Sequence, residues 1–209
     1  MDILWVWESQ NLTQRTLEHL RMFGIALALS IIIGVLLGLY LYRRPKLAPL
    51  AFNVLNILET VPTLALLVLL LPLLGLGEKP TIAASVIYSI LPIARNTYTG
   101  LTSVERSYIE VAEAIGLNER EILLRVRLPL ALPLIAAGIR IAVVFTMGVV
   151  TLGGLIAAGG LGAPLQTGIH LYNRNIIIVT GLWVGVLALI LDGVAAMVEK
   201  YLRGRYGRR

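Results

Sequence analysis

The chain has no cysteine, little charge for its length and no phosphate-cradling loop of the form G-x-x-x-x-G-K-[ST]. Without cysteine there is neither a disulfide framework nor a thiolate metal site, and the redox compartment cannot be read. Only 14% of the 209 residues are charged against 57% hydrophobic, which excludes an ordinary soluble domain, whose surface needs more charge. The missing glycine-lysine loop means that this polypeptide does not hold ATP by that route. His19 and His170 lie far apart without a companion at ligand spacing, so both read as interfacial residues and no metal is expected. No nucleophile and base stand in a catalytic arrangement, and an enzyme is not expected.

Long apolar runs dominate what is present. Residues 1–21, with Trp5, Trp7 and mixed charges, lack a signal-peptide pattern and read as an amphipathic lead-in. Met22 to Tyr42 carries no charge and, at about 1.5 Å per residue, is long enough to cross a hydrocarbon core of roughly 30 Å. A second span over 47–76 is interrupted by Glu59 and Pro62 and is expected to kink. A third runs over 81–102, a fourth to about Ile156 and a fifth over 176–198. The expectation is an all-α integral membrane protein with about five transmembrane helices, its transmembrane domain covering 22–200 and a basic tail covering 201–209.

Basic residues are unevenly divided between the two sides of these spans. Twelve Lys and Arg fall on the side holding 43–46, 106–127 and 200–209, and four fall on the other. The positive-inside rule therefore places the 106–127 loop and the C-terminus in the cytoplasm and the N-terminus outside, in a multi-pass plasma-membrane protein. The net charge of +6 is thus a topology signal, and its loop distribution is not a nucleic-acid stripe.

Between spans three and four lies a polar island, SYIEVAEAIGLNEREILLRVRLP, from Ser107 to Pro129. Ser107 and Glu110 have capping-box spacing, Gly116 suits a helix stop, and Asn118 with Glu121 repeats the start signal. Two short helices meeting at a glycine turn are expected, the second ended by Leu128-Pro129. On spacing alone the island is either a docking surface or a plain connection between spans.

Glu110, Ala112 and Gly116, followed by Val126, Leu128 and Pro129, resemble the E-A-A-x3-G-x9-I-x-L-P signature of binding-protein-dependent ABC importer permeases. Val111 stands where the signature has its first alanine, and Val126 replaces isoleucine. The resemblance implies a methionine-permease-like fold and a coupling-helix pair over 107–127 that sits in a groove on a cytoplasmic ATPase. It also implies ATP and Mg on that partner, with no cofactor on this chain, and a second permease subunit, identical or similar. Glu59-Thr60-Val61-Pro62, the stretch from Leu91 to Gly100 and Ala158-Gly159-Gly160-Leu161-Gly162 are similar to segments of the osmoprotectant permeases for glycine betaine, carnitine and choline. Glu59 departs from the glutamine of that group. A separate solute-binding protein is implied, and related permeases for other small solutes share the scaffold.

Four ionisable residues fall inside spans, Glu59, Arg95, Arg140 and Asp192. A charge at mid-bilayer costs about 3 kcal/mol or more unless paired or wetted, so these either lock the bundle as pairs or line a path. Glu59 is expected to pair with Arg95 or Arg140. Asn96 sits beside Arg95 in the same osmoprotectant-like segment. Pro62 and Pro92 read as hinges or as ordinary kinks. Gly159, Gly160 and Gly162, with Tyr172, read as an outer gate or as a loop under an aromatic belt. Alternating access driven by ATPase closure is the expected mechanism. An ion-coupled secondary transporter would need internal repeats with paired broken helices, which the chain does not clearly show, and a non-transporting scaffold would leave the island unexplained.

Overall fold

In the computed structural model, residues 2–207 are described, and they form ten α-helices without a strand. The last two arginines of the basic tail lie outside the described residues. A short helix α1 (Ile3–Ser9) is capped by the Asp2 side chain. Asn11 then takes the left-handed conformation and lets the chain turn into α2 (Leu12–Arg43). The second helix therefore starts ten residues ahead of the expected span. Its added turns carry residues that pack inside the fold: Leu12, His19 and Met22 are all fully buried. His19 is accordingly a core residue and not an interfacial one, and neither of its ring nitrogens has a hydrogen-bond partner among the described residues.

The expected kinked span is two helices. After a short 3-10 turn (Pro45–Leu47), α3 (Ala48–Thr60) ends at extended Val61, and α4 (Thr63–Leu74) starts behind Pro62 with a change of direction of 96°. Pro62 lacks an N–H and disfavours helical backbone at the residue before it, so it turns a kink into an elbow. By contrast, α5 (Glu78–Thr102) runs unbroken through Pro92, which is no hinge in this structure.

Helix α5 is the centre of the fold and packs along α2 on one side and α8 (Leu128–Gly153) on the other. Its 25 residues are long enough to cross a bilayer, at about 37 Å, but its composition is less apolar than that of its neighbours. The reason is visible in its burial. Thr81, Ser85, Ser89 and Thr97 are fully buried against protein, and their hydroxyls are bonded, Ser89 to Thr146 across the α5–α8 contact at 3.0 Å and Ser85 and Thr97 to carbonyls one turn back. A helix shielded by others need not carry a lipid-facing surface. Close approach rests on small residues. A Cβ on Gly38 of α2 would lie 2.5 Å from Thr97, and one on Gly138 of α8 would lie 2.7 Å from the Pro92 carbonyl oxygen.

Among the described residues three helices are long and apolar enough to cross a membrane, Leu12–Arg43, the continuous Glu119–Ile156 and Arg174–Tyr206, and the bent pair makes a fourth if it is one span. Between α5 and α8 lie the short helices α6 (Arg106–Ala114) and α7 (Glu119–Ile122). Beyond α8 the stretch expected to be a glycine-rich loop contains a further helix, α9 (Gly162–His170). The last helix, α10 (Arg174–Tyr206), packs on α8 and continues past the expected end of span five.

Candidate functional site

The α6–α7 pair is built from local chain chemistry. Gly116 has φ +85 and closes α6 as a full Schellman motif, its own N–H donating to the Glu113 carbonyl at 2.9 Å and the Leu117 N–H to the Ala112 carbonyl at 3.0 Å. Ala112 is also the one buried residue of α6, so it fixes both the cap and the packing. Asn118 and Glu121 form the expected reciprocal box, with bonds of 3.0 and 3.1 Å. The other box is absent. Glu105 holds the N-cap position of α6, Ser107 lies inside the helix, and the Glu110 carboxylate instead pairs with Arg106 at 2.9 Å, one turn back.

Leu128-Pro129 does not end the second helix. The backbone from Leu123 to Arg127 widens into a π-helical turn, where the Leu128 N–H reaches back to the Leu123 carbonyl, and helix continues into α8. A wide turn accommodates Pro129, which has no N–H to give and would crowd a regular turn. Val126, Leu128 and Pro129 therefore lie where the α6–α7 segment runs continuously into the membrane helix α8. Leu128 packs against the buried cluster of Leu101, Leu123, Ala131 and Ile135.

Outward from this joint, Tyr108, Val111 and Ile115 lie on one face of α6 and are exposed, at 45%, 64% and 72%. Together they form an exposed apolar stripe at helical spacing. Val111, which departs from the signature's alanine, is part of that stripe. Behind it a half-polar cleft of about 970 Å³ is lined by Arg43, Arg44, Glu113, Arg120 and Arg127 among others. Basic residues from the end of α2, from the α6–α8 segment and, through Arg203 and Arg205, from α10 belong to segments that close this end of the bundle.

The intramembrane charges pair differently from the expectation. Arg140 on α8 makes a two-pronged contact with Asp192 on α10, at 2.7 and 2.9 Å, and a longer one of 3.4 Å with Glu199. Asp192 thus pairs α10 with α8, and Arg140 is engaged by it and not by Glu59. Arg95 donates to Asn56 at 2.9 Å and lies over the Phe52 ring. Glu59 has no ion pair among the described residues. Asn96 donates to the Pro92 carbonyl at 2.8 Å, at the tight crossing with Gly138. At the Pro62 elbow the freed Val61 carbonyl accepts from the Tyr88 hydroxyl, which pins the break to α5.

At the far end of the bundle, Gly159 and Gly160 have positive φ, and the Gly160 N–H donates to Glu18 at 3.0 Å. Gly162 packs so closely on Gly154 that a Cβ on it would lie 2.0 Å from the Thr151 carbonyl oxygen. These three glycines are brought together against α2 and α8. Tyr172 is not: it sits in a left-handed turn between α9 and α10 and is 91% exposed. Trp183 donates to Thr16 and meets Trp7 edge-on at 5.1 Å, tying α1, α2 and α10.

Sequence reasoning missed Arg127, Glu199 and Tyr88. Arg127 was legible only as a loop charge, and Glu199 fell beyond the expected end of span five. The Gly34-x3-Gly38 spacing was a readable signal for the α2–α5 contact.

The sequence pattern of the family described as the binding-protein-dependent transport system inner membrane component matches residues 30–204. The choline transport system permease protein OpuBB of Bacillus subtilis is 40% identical over 192 residues, 92% of this chain and 88% of that protein. The glycine betaine/carnitine/choline transport system permease protein OpuCB of the same organism is 42% identical, over 91% of this chain and 88% of that protein. The osmoprotectant import permease protein OsmW of Salmonella typhimurium is 39% identical, over 87% and 86%. In fold the chain is similar to the inward-facing MetNI methionine ABC transporter, with a TM-score of 0.81 at 24% identity, covering 96% of this chain and 97% of that one. With that match over most of its length, the chain belongs to the family of binding-protein-dependent transport system inner membrane components, the multi-span permease subunits of ABC importers.

Proposed function

We propose that this permease subunit imports a small osmoprotectant of the glycine betaine, carnitine or choline kind, driven by ATP hydrolysis on a separate subunit. The observation that carries the import mechanism is the coupling pair: two capped short helices, an open apolar stripe on the first, and a continuous π turn from the second into α8. Names of relatives 36–42% identical, which include choline, carnitine and glycine betaine systems, support the solute class.

In this reading Glu110, Ala112, Gly116, Val126, Leu128 and Pro129 couple the membrane helices to the ATPase, which holds ATP and Mg. The coupling end and the C-terminus face the cytoplasm, and the N-terminus faces outside, as the excess of basic residues on that end favours. The elbow at Pro62, with Glu59 and with Arg95 and Asn96 on the facing helix, borders the translocation path. Arg140 and Asp192 hold α8 to α10. Gly159, Gly160 and Gly162, with Tyr172, form the outer segment that meets a separate solute-binding protein. A second permease subunit completes the path, since one bent pair and its neighbours make only one wall.

Reconstitution with the ATPase and binding protein in proteoliposomes tests the reading. Uptake of labelled betaine, carnitine or choline that needs ATP and is blocked by vanadate is expected. Uptake driven by an ion gradient without the ATPase would overturn it in favour of a secondary carrier.

A further inference from the structure

Glu59 lies in the last turn of α3, just before the chain turns through 96°, and a cavity of about 350 Å³ opens beside it. Thr63, Tyr88, Phe145, Gly148 and Leu152 share that cavity. The Arg95 charge on the facing helix reaches this carboxylate only beyond salt-bridge distance, and a carboxylate so placed in a membrane-embedded break is costly unless a further cation visits it. The end of α3 adds to the same sign, because the last carbonyls of a helix carry partial negative charge. Apart from the Thr63 and Tyr88 hydroxyls, the rest of the wall is hydrocarbon and ring: Phe145 is 38% exposed, and Gly148 leaves open space where a Cβ would stand.

This chemistry selects one kind of cation. A small metal ion takes several oxygen ligands at short range, and the cavity offers a single carboxylate. A primary ammonium is strongly hydrated and seeks hydrogen-bond acceptors, whereas a quaternary ammonium has no N–H and is held by charge and by aromatic faces. The geometry points to a quaternary-ammonium subsite within the membrane, where Glu59 and the C-terminal end of α3 hold the trialkylammonium group of the solute, with Tyr88 and Phe145 in the wall, as it passes the elbow. This rests on the osmoprotectant reading and adds where in the permease the solute's charge is met.

The absence of cysteine makes the test clean. Thr63→Cys is introduced in the complete complex with cysteine-free partners, and its modification is timed with a thiosulfonate carrying trimethylammonium and with one carrying sulfonate. The ammonium reagent is expected to react faster, and Glu59→Gln is expected to lower the ratio of the two rates by about tenfold or more, since one unit charge in a poorly screened site acts with opposite sign on the two reagents. Tetramethylammonium chloride should slow the ammonium reagent where Glu59 is retained and have no effect where Glu59→Gln is present. Gly148→Cys is the second reporter if Thr63→Cys fails to assemble. A ratio unchanged by Glu59→Gln, or no reaction of either reporter in any nucleotide state of an assembled complex, would overturn the subsite. ATP-dependent choline uptake by the unaltered complex is measured in parallel. A ratio indifferent to Glu59→Gln, with that uptake intact, overturns the subsite alone. Absence of uptake of choline, carnitine and betaine overturns the solute class, and with it this occupant.

Discussion

The Arg127 guanidinium donates to the carbonyl oxygen of Leu101 across 2.8 Å, and so ties the π turn that follows the coupling pair to the last turn of the central helix. The same guanidinium lies over the Tyr42 ring at 5.4 Å, near the end of α2. A cation at the C-terminal end of a helix also meets its dipole favourably. Arg127 therefore links the segment that follows α7 to both α5 and α2.

Arg127→Gln removes a charge-assisted hydrogen bond of about 1.5–3 kcal/mol and leaves the apolar stripe on α6 untouched. The expected outcome is roughly a tenfold fall in coupled uptake with normal ATPase co-purification, because the lesion lies in the joint and not in the docking face. Arg127→Lys keeps the charge without the planar fork and should fall between the two. Co-purification and uptake falling in parallel would place Arg127 in the docking surface instead.

Gly116 gives a separate handle, on docking. Its Cβ position meets nothing within 4 Å, so the whole effect of a side chain there comes from the backbone, at φ +85. A left-handed residue costs about 1–2 kcal/mol for most side chains and least for asparagine. Gly116→Val should insert in the membrane normally and lose the ATPase on purification, while Gly116→Asn keeps it. Equal behaviour of the two variants would remove the left-handed cap from the explanation.

Arg140 faces two carboxylates, Asp192 and Glu199, whereas Asp192 faces one cation. Removing the arginine strands Asp192, while Glu199 keeps Arg203, and removing the aspartate leaves the arginine Glu199 as a partner. Arg140→Gln is therefore expected to lower the melting temperature of the detergent-solubilised subunit more than Asp192→Asn does. The Arg140→Leu/Asp192→Leu double variant should recover part of the loss, since no partner of the pair is then left alone. A differential scan of the variants reads the order directly, and the reverse order would contradict the arrangement.

What the sequence made legible was local. Asn118, Glu121 and Gly116 could be read because a cap is a contact between residues three to five apart. Ser107 misled for the same reason: Arg106, one residue earlier, engages Glu110, and the helix starts behind Glu105. Leu128-Pro129 looked like a stop because proline breaks regular helix, and a π turn, which has no sequence signature of its own, absorbed it. Ion pairing was beyond reach, since it depends on which helices face each other; Glu59, Arg95, Arg140 and Asp192 allow more than one arrangement. The elbow at Pro62 was legible in place but not in size, because the Tyr88 hydroxyl that stabilises the freed Val61 carbonyl comes from another helix.

Side and partner of the coupling stripe are the measurement that bears most directly on the permease assignment. Ile115→Cys, at a position 72% exposed in the native chain, is the sole thiol and is labelled with a membrane-impermeant maleimide in sealed vesicles of each orientation. Labelling from the cytoplasmic face alone, and its loss when the ATPase is bound, is the expected result. Labelling from the outer face, or labelling indifferent to the ATPase, would contradict it.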